Sequence, residues 1–265
     1  MTLQLHRRDA RGDLARRSTL TRWLSCGAVC LMLAAQAAGA AELAPFRVVS
    51  GNLPPFAIAD GKEERGALVE IVEQLGADVG NSIKVEFFPW KRATVLPLSL
   101  PRVAVFPLTR TPEREQQYRW LAKLYYQQFV FVARHGSKVD VHDVDSLKKL
   151  HVVVLRGSPH LKYLLDHGFQ HVSEETSVEE MQRMLQLGIA DVICGADAVE
   201  RAAFQLANKP LQDYDFSTPQ TTGEIWLAGS ADFTQADIDA FHAAMVRMME
   251  NGSYGRILRK YHLAK

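Results

Sequence analysis

Short apolar runs and helix-spaced apolar positions alternate along the chain from Phe46 to its end. Residues 46–50, 83–88 and 103–106 read as strands. Between them Leu68, Ile71, Val72 and Leu75 recur at helical spacing, with Gly76 or Gly80 to end that helix, and Pro89-Trp90-Lys91-Arg92-Ala93 opens another. A second set begins after Arg134, where 150–155 is a continuous apolar run, the pattern of a strand covered on both faces. A helix from Pro159 buries Leu161, Leu164 and Leu165 and stops at Gly168. Ser177 and Glu180 form a capping box over Val178, Met181 and Leu185. Residues 191–194 then predict a strand, 196–206 a helix and 211–214 a further strand. The last long helix, capped by Thr234, places Ile238, Phe241, Met245 and Met248 inward. This alternation predicts an α/β fold with largely parallel sheets. The apolar segments 129–133 and 225–228 read as connecting strands between two lobes, after which the C-terminal helix returns to the first lobe.

One motif occurs twice: an apolar strand followed by an arginine, a hydroxyl residue and a proline. The first copy ends in Thr109-Arg110-Thr111-Pro112-Glu113-Arg114, the second in Leu155-Arg156-Gly157-Ser158-Pro159. Proline suits the first helical position, and Thr111 or Ser158 before it suits an N-cap. Such a helix start offers free N–H donors and the positive end of the dipole, so each copy is a candidate anion site.

Residues 1–41 have the layout of a secretory signal. Arg7, Arg8, Arg11, Arg16, Arg17 and Arg22 precede the apolar run 23–38, and Ala38-Gly39-Ala40 fits the small-residue cleavage pattern. Its removal takes six arginines and two aspartates, so the formal charge changes from +1 to −3 and no basic face suited to nucleic acid is left. Of the three cysteines only Cys194 would stay, a small hydrophobe inside an apolar run. His167 and His171 are four apart, but Gly168 breaks the helix that would align them, so neither a metal site nor a cofactor is expected.

From Phe46 onward the chain resembles bacterial periplasmic solute-binding proteins of the polar-amino-acid type, family three, which serve ABC importers. The resemblance rests on Pro54-Pro55-Phe56 with Asp60-Gly61 and a Gly66-led helix, residues 109–115, Gly157-Ser158, Gly188-Ile189-Ala190-Asp191 and the closing stretch 251–258. It implies a two-lobed periplasmic-binding-protein fold, type II-like, with two hinge strands and a ligand cleft between the lobes. The lobes would be 42–132 with 227–265, and 133–226. It further implies a periplasmic monomer that captures a small anionic or zwitterionic solute by hinge closure and delivers it to an ABC permease. A sensing protein that docks on a membrane receptor and a dehydratase acting on cyclic carboxylates are the alternatives on this fold.

By the same resemblance Arg114 would hold a ligand carboxylate, with Thr109 donating from the same lobe and Ser158 meeting it from the other. Phe56 or Trp90 would pack the ligand's apolar part. Read from the residues alone, Arg114 is either a ligand contact or a solvated charge paired with neighbouring glutamates. Arg110 is a ligand contact or an exposed loop residue, and Ser158 serves equally as a plain cap. Asp197 grips an amine or is a solvated helix carboxylate, and Phe56 and Trp90 are core residues or stack on a ligand. Arg156 interrupts a strand end where a cleft would lie, and its presence beside Arg110 and Arg114 suggests a ligand with more than one negative group. No nucleophile elbow, P-loop, zinc-protease helix or Cys-His pairing is present, and no acidic residue is placed by sequence in the cleft, so a binder rather than an enzyme is expected.

Overall fold

A computed structural model describes residues 43–59 and 64–264; the signal-like segment and Asp60-Gly61 lie outside the described residues. The chain builds one large sheet and a small two-stranded one. Strand β1 (Arg47–Ser50) is followed by the hairpin pair β2 (Ile58–Ala59) and β3 (Glu64–Arg65), then helix α1 (Ala67–Asp78) and β4 (Val85–Phe87). Helix α2 (Trp90–Ser99) leads into β5 (Val103–Thr109), and a single 3-10 turn (Pro112–Arg114) precedes the 16-residue strand β6 (Arg119–Arg134). Next come α3 (Val144–Leu147), β7 (His151–Leu155), α4 (His160–Asp166), β8 (His171–Glu175), α5 (Val178–Leu187), β9 (Val192–Ala196) and α6 (Asp197–Leu206). Strands β10 (Tyr214–Phe216) and β11 (Thr221–Gly229) and helices α7 (Gln235–Glu250) and α8 (Ser253–Lys260) complete the fold.

The strand order, β4-β1-β5-β11-β6-β9-β7-β8, explains how two lobes share one sheet. Strands β4, β1 and β5 pair in parallel at one end, and β8, β7 and β9 pair in parallel at the other. The long antiparallel pair β6 and β11 runs between them, with β11 on β5 and β6 on β9. The segments 129–133 and 225–228 are therefore the C-terminal parts of two strands that run between both ends, 129–132 pairing with β9 and 225–228 with β5. Helices α1 and α7 pack together beside α8, which places the C-terminus with the first lobe.

Local chemistry accounts for most element boundaries. Thr234 and Asp237 form a reciprocal capping box, and Ile238, Phe241, Met245 and Met248 of α7 are buried. Ser177 accepts from the Glu180 N–H at the start of α5, and Gly188, at φ 69°, closes that helix in the left-handed region. The stretch 211–214 departs from the expected strand: residues 211–213 form a 3-10 turn and the strand starts at Tyr214. Pro112 opens only one turn because Pro112-Glu113-Arg114-Glu115-Gln116-Gln117 has no apolar stripe to bury. Thr111 makes no capping bond there. The far face of the second lobe's sheet has its own core, which includes Phe131, Val152, Val154, Phe169 and Cys194. Burial raises the Cys194 thiol pKa, consistent with an unreactive core residue. No described helix is long and apolar enough to cross a membrane.

Candidate functional site

The strand ends of both lobes meet around a partly open space of about 50 Å³. From the first lobe it is lined by Leu53 and Phe56 of the β1–β2 turn, Trp90 at the start of α2, and Pro107 and Thr109 of β5. From the second come Leu155 at the end of β7, Ser158 and His160 at the start of α4, Met181 of α5, Ala196 at the end of β9, and Glu200 of α6. Gln127 on the shared strand β6 forms the floor and donates to Thr109 Oγ1 at 3.1 Å. Phe56 is held in place by a tilted ring contact with Tyr125 at 5.4 Å.

Arg114 ties the two lobes together beside this space. Its guanidinium donates to the Thr109 carbonyl at 3.0 Å and to the Gly157 carbonyl at 2.7 Å, so one side chain spans from β5 to the β7–α4 turn. Among the described residues Arg114 makes no ion pair. Burial lowers its pKa, the mark of a cation short of solvation. Gly157, at φ +87°, permits the close approach: a Cβ there would lie 3.1 Å from the Lys91 Cα. Asn52 reaches across as well, donating to Glu179 at 2.9 Å.

Strand alternation explains why the other charged candidates lie elsewhere. Thr109 faces the space, so Arg110 turns away. It forms a bidentate pair with Glu115 at 2.8 and 2.5 Å and lies over Trp120 and Trp226. Leu155 faces the space, and Arg156 beyond it is exposed, donating to the Glu174 carbonyl at 3.2 Å. Ala196 lines the space, whereas Asp197 lines a separate open groove and accepts from Arg201, four residues on, at 2.7 Å. Of the eight residues singled out by sequence, the structure brings Phe56, Trp90, Thr109 and Ser158 together at the cavity with Arg114 beside them. It does not bring Arg110, Arg156 or Asp197 there. Ser158 accepts from the His160 N–H at 3.4 Å, and its own N–H donates to Leu155, so helix α4 starts one residue after Pro159.

Two titratable residues of the lining, His160 and Glu200, are not among those eight. His160 is buried, packs edge-on against Phe129 at 4.5 Å, and neither ring nitrogen has a hydrogen-bond partner. Burial, with the nearby Arg114 charge, holds its pKa down to about 3, so the ring is neutral at physiological pH. Glu200 is 1 % exposed and burial pushes its pKa up to about 8, with Gln182 opposing as a hydrogen-bond donor and Glu179 adding to the rise. The chain does therefore place an acidic residue in the cleft. Its signal was present: Ala196, Val199, Glu200, Ala203 and Phe204 form one helical stripe in which only Glu200 is polar.

These opposite shifts predict a flat-topped stability profile. Glu200, raised from 4.5 to about 8, contributes stability below pH 4.5 that is lost as pH rises through 8. His160, lowered from 6.5 to about 3, contributes stability above pH 6.5 that is lost as pH falls through 3. The two slopes cancel between pH 4.5 and 6.5; His160 alone gives a slope of about 1.4 kcal/mol per pH unit from pH 3 to 4.5, and Glu200 alone an opposite one of about that size from pH 6.5 to 8. Glu200→Gln removes the alkaline slope. In thermal denaturation at pH 8 it should melt above the wild type, and at pH 4 the two should coincide.

A two-lobed α/β fold with a cavity at the strand ends, shared by both lobes and floored by the connecting strands, is that of a periplasmic binding protein. Residues 47–264 match the model of the bacterial extracellular solute-binding proteins, family 3, and the chain belongs to that family. Solved structures of the same fold include a mutant of ArgBP from T. maritima (TM-score 0.73, 16% identity, covering 82% of this chain and 95% of that one). The substrate binding protein of an amino acid ABC transporter matches with TM-score 0.71 and 17% identity, over 82% and 99% of the two chains. A histidine kinase sensor domain similar to periplasmic binding proteins matches with TM-score 0.73 and 16% identity, over 82% and 95%. A comparison with curated protein sequences finds no match.

Proposed function

We propose that this chain captures a small carboxylate-bearing solute between two lobes, 42–132 with 227–265 and 133–226, which close on it by bending at β6 and β11. The observation that carries this reading is Arg114: a partly buried cation at the cavity's edge, bridging the lobes and, among the described residues, donating only to carbonyl dipoles. A buried cation without a counter-charge is costly, and a ligand carboxylate would supply one. A solute touching both lobes stabilises the closed form because the open form cannot make both sets of contacts. The signal-like segment 1–41 supports action in the periplasm, and the closed form would be read by an ABC permease. Similarity to a kinase sensor domain keeps a membrane sensor as the second partner reading; a permease gene or a signalling gene beside this one separates the two.

A thermal-shift screen of amino acids, dicarboxylates, aromatic acids and opines tests the capture reading. A bound acid should raise the melting temperature saturably, by the equivalent of about 2.7 kcal/mol at a hundred times its Kd. No shift with any carboxylate would refute it. The specific observation favouring an enzyme is Glu200, which keeps a proton near neutrality inside the cavity, as a general acid must. Turnover of cyclic carboxylic acids on incubation would establish that reading, and stoichiometric stabilisation without turnover would exclude it for the acids tried.

A further inference from the structure

Beside the cavity, side chains of the protein itself join the two lobes. Arg114 reaches the Gly157 carbonyl at 2.7 Å, and the Asn52 amide donates to the Glu179 carboxylate at 2.9 Å. Glu113 and Lys162 also meet across the lobes at 3.9 Å, although Lys162 has a nearer partner in Asp166 at 2.8 Å. Asn52 and Glu179 are exposed, while their chain neighbours Leu53 and Val178 line the cavity, so this bond sits at the cavity's rim. The backbones are close as well, because Gly157 packs directly on Lys91. The space these contacts leave, about 50 Å³, has room for about four water molecules. Sites for small molecules commonly reach about 300 Å³ and more. A solute of amino-acid size therefore enters only if the lobes move apart, and that movement breaks the bonds between them.

Resting on the capture reading above, we propose that these contacts are an autoinhibitory latch. Asn52–Glu179 at the rim and Arg114–Gly157 beside the cavity hold the lobes in a form that excludes solute. A carboxylate-bearing solute binds by taking the place of the Gly157 carbonyl on Arg114, in a form whose lobes stand further apart. Only the unlatched fraction of molecules is then competent to bind, and the apparent Kd is raised in proportion. The Asn52–Glu179 bond has one charged partner but is exposed, so simply deleting it changes little. Placing like charges across the same gap opposes the latch more strongly.

Asn52 allows that change without disturbing its own turn. Its Oδ1 accepts the Ala59 N–H at 3.0 Å, which a carboxylate can still do, while its amide faces Glu179. Asn52→Asp therefore keeps the turn and sets two carboxylates against each other. Small-angle scattering of the whole protein, with no solute added, should give this variant a larger radius of gyration than the wild type while it still melts cooperatively. Adding Glu179→Gln puts a donor back opposite the new carboxylate and should return the radius to the wild-type value. Calorimetric titration with an acid that raises the melting temperature should show Asn52→Asp binding about fivefold more tightly, as when the unlatched share rises from about a tenth to about a half. Equal radii for the wild type and Asn52→Asp would overturn the latch. So would an expanded variant that binds no better than the wild type, because the contact would then belong to the solute-bound form. Failure of every carboxylate to bind either protein would overturn the capture reading, and scattering would still decide whether the lobes latch.

Discussion

Arg114→Met is expected to weaken carboxylate binding severely and to loosen the contact between the lobes. Each guanidinium bond to a carbonyl is charge-assisted and is worth about 1.5–3 kcal/mol. Both bonds are lost together, one of them the direct link from the first lobe to Gly157. Relief of the buried charge offsets part of this, so the net loss of stability should be about 2 kcal/mol. For a bound acid the loss is larger, because the cation beside the cavity disappears: on the order of 100-fold in Kd. Arg114→Lys keeps the charge but not the fork that reaches Thr109 and Gly157 at once, and should fall between the two. Urea unfolding gives the stability change, titration with any acid that binds the wild type gives the affinity, and small-angle scattering gives the expansion expected when the lobes separate. An Arg114→Met protein with wild-type affinity would remove the residue from the site.

The second large effect is expected at Gly66. Its backbone sits at φ 138°, ψ 158°, a region that L side chains rarely adopt. A Cβ there would lie 2.4 Å from the Phe56 carbonyl oxygen and 2.9 Å from the Ala57 Cα, both parts of the backbone that cannot swing aside. That carbonyl accepts the Leu68 N–H at the start of α1, and the Phe56 ring lines the cavity. Gly66→Ala should therefore cost about 3 kcal/mol or more. It should also weaken solute binding, because the turn carrying Phe56 must move. Denaturant unfolding together with solute titration checks both, and a variant with unchanged stability would show that the turn relaxes freely. Gly136→Ala is a useful control: its φ of +75° is strained too, but a Cβ there meets nothing within 4 Å, so its cost should stay near 1 kcal/mol.

The fold was legible because its elements announce themselves. The apolar run of β7, the Ser177 cap and the Thr234 box sit where their sequence patterns place them. The repeated arginine–hydroxyl–proline motif carried less than its pattern suggests. Pro112 leads into one 3-10 turn, not a helix, and the helix after Pro159 is seven residues long. What spacing within the motif could not give was direction. Arg110 and Arg156 each follow a residue that faces the cavity, so the alternation of an extended chain sends them outward. Arg114 sits beyond the strand, where the turn brings it back beside the cavity. His160 and Glu200 escaped notice for a different reason. Their importance comes from burial and from missing partners, and those depend on how two lobes pack, not on any local pattern.

The most direct test follows the Trp90 indole in ¹H–¹⁵N spectra while the protein is titrated with a solute that raises its melting temperature. Trp90 is 6 % exposed and lines the cavity from the first lobe, and Trp90→Phe assigns its signal. The account predicts a saturable shift of that indole at the Kd measured by calorimetry, with the indoles of Trp120 and Trp226, which do not line the cavity, moving far less. Calorimetric binding that leaves the Trp90 indole unmoved would place the solute outside the cleft and contradict the account.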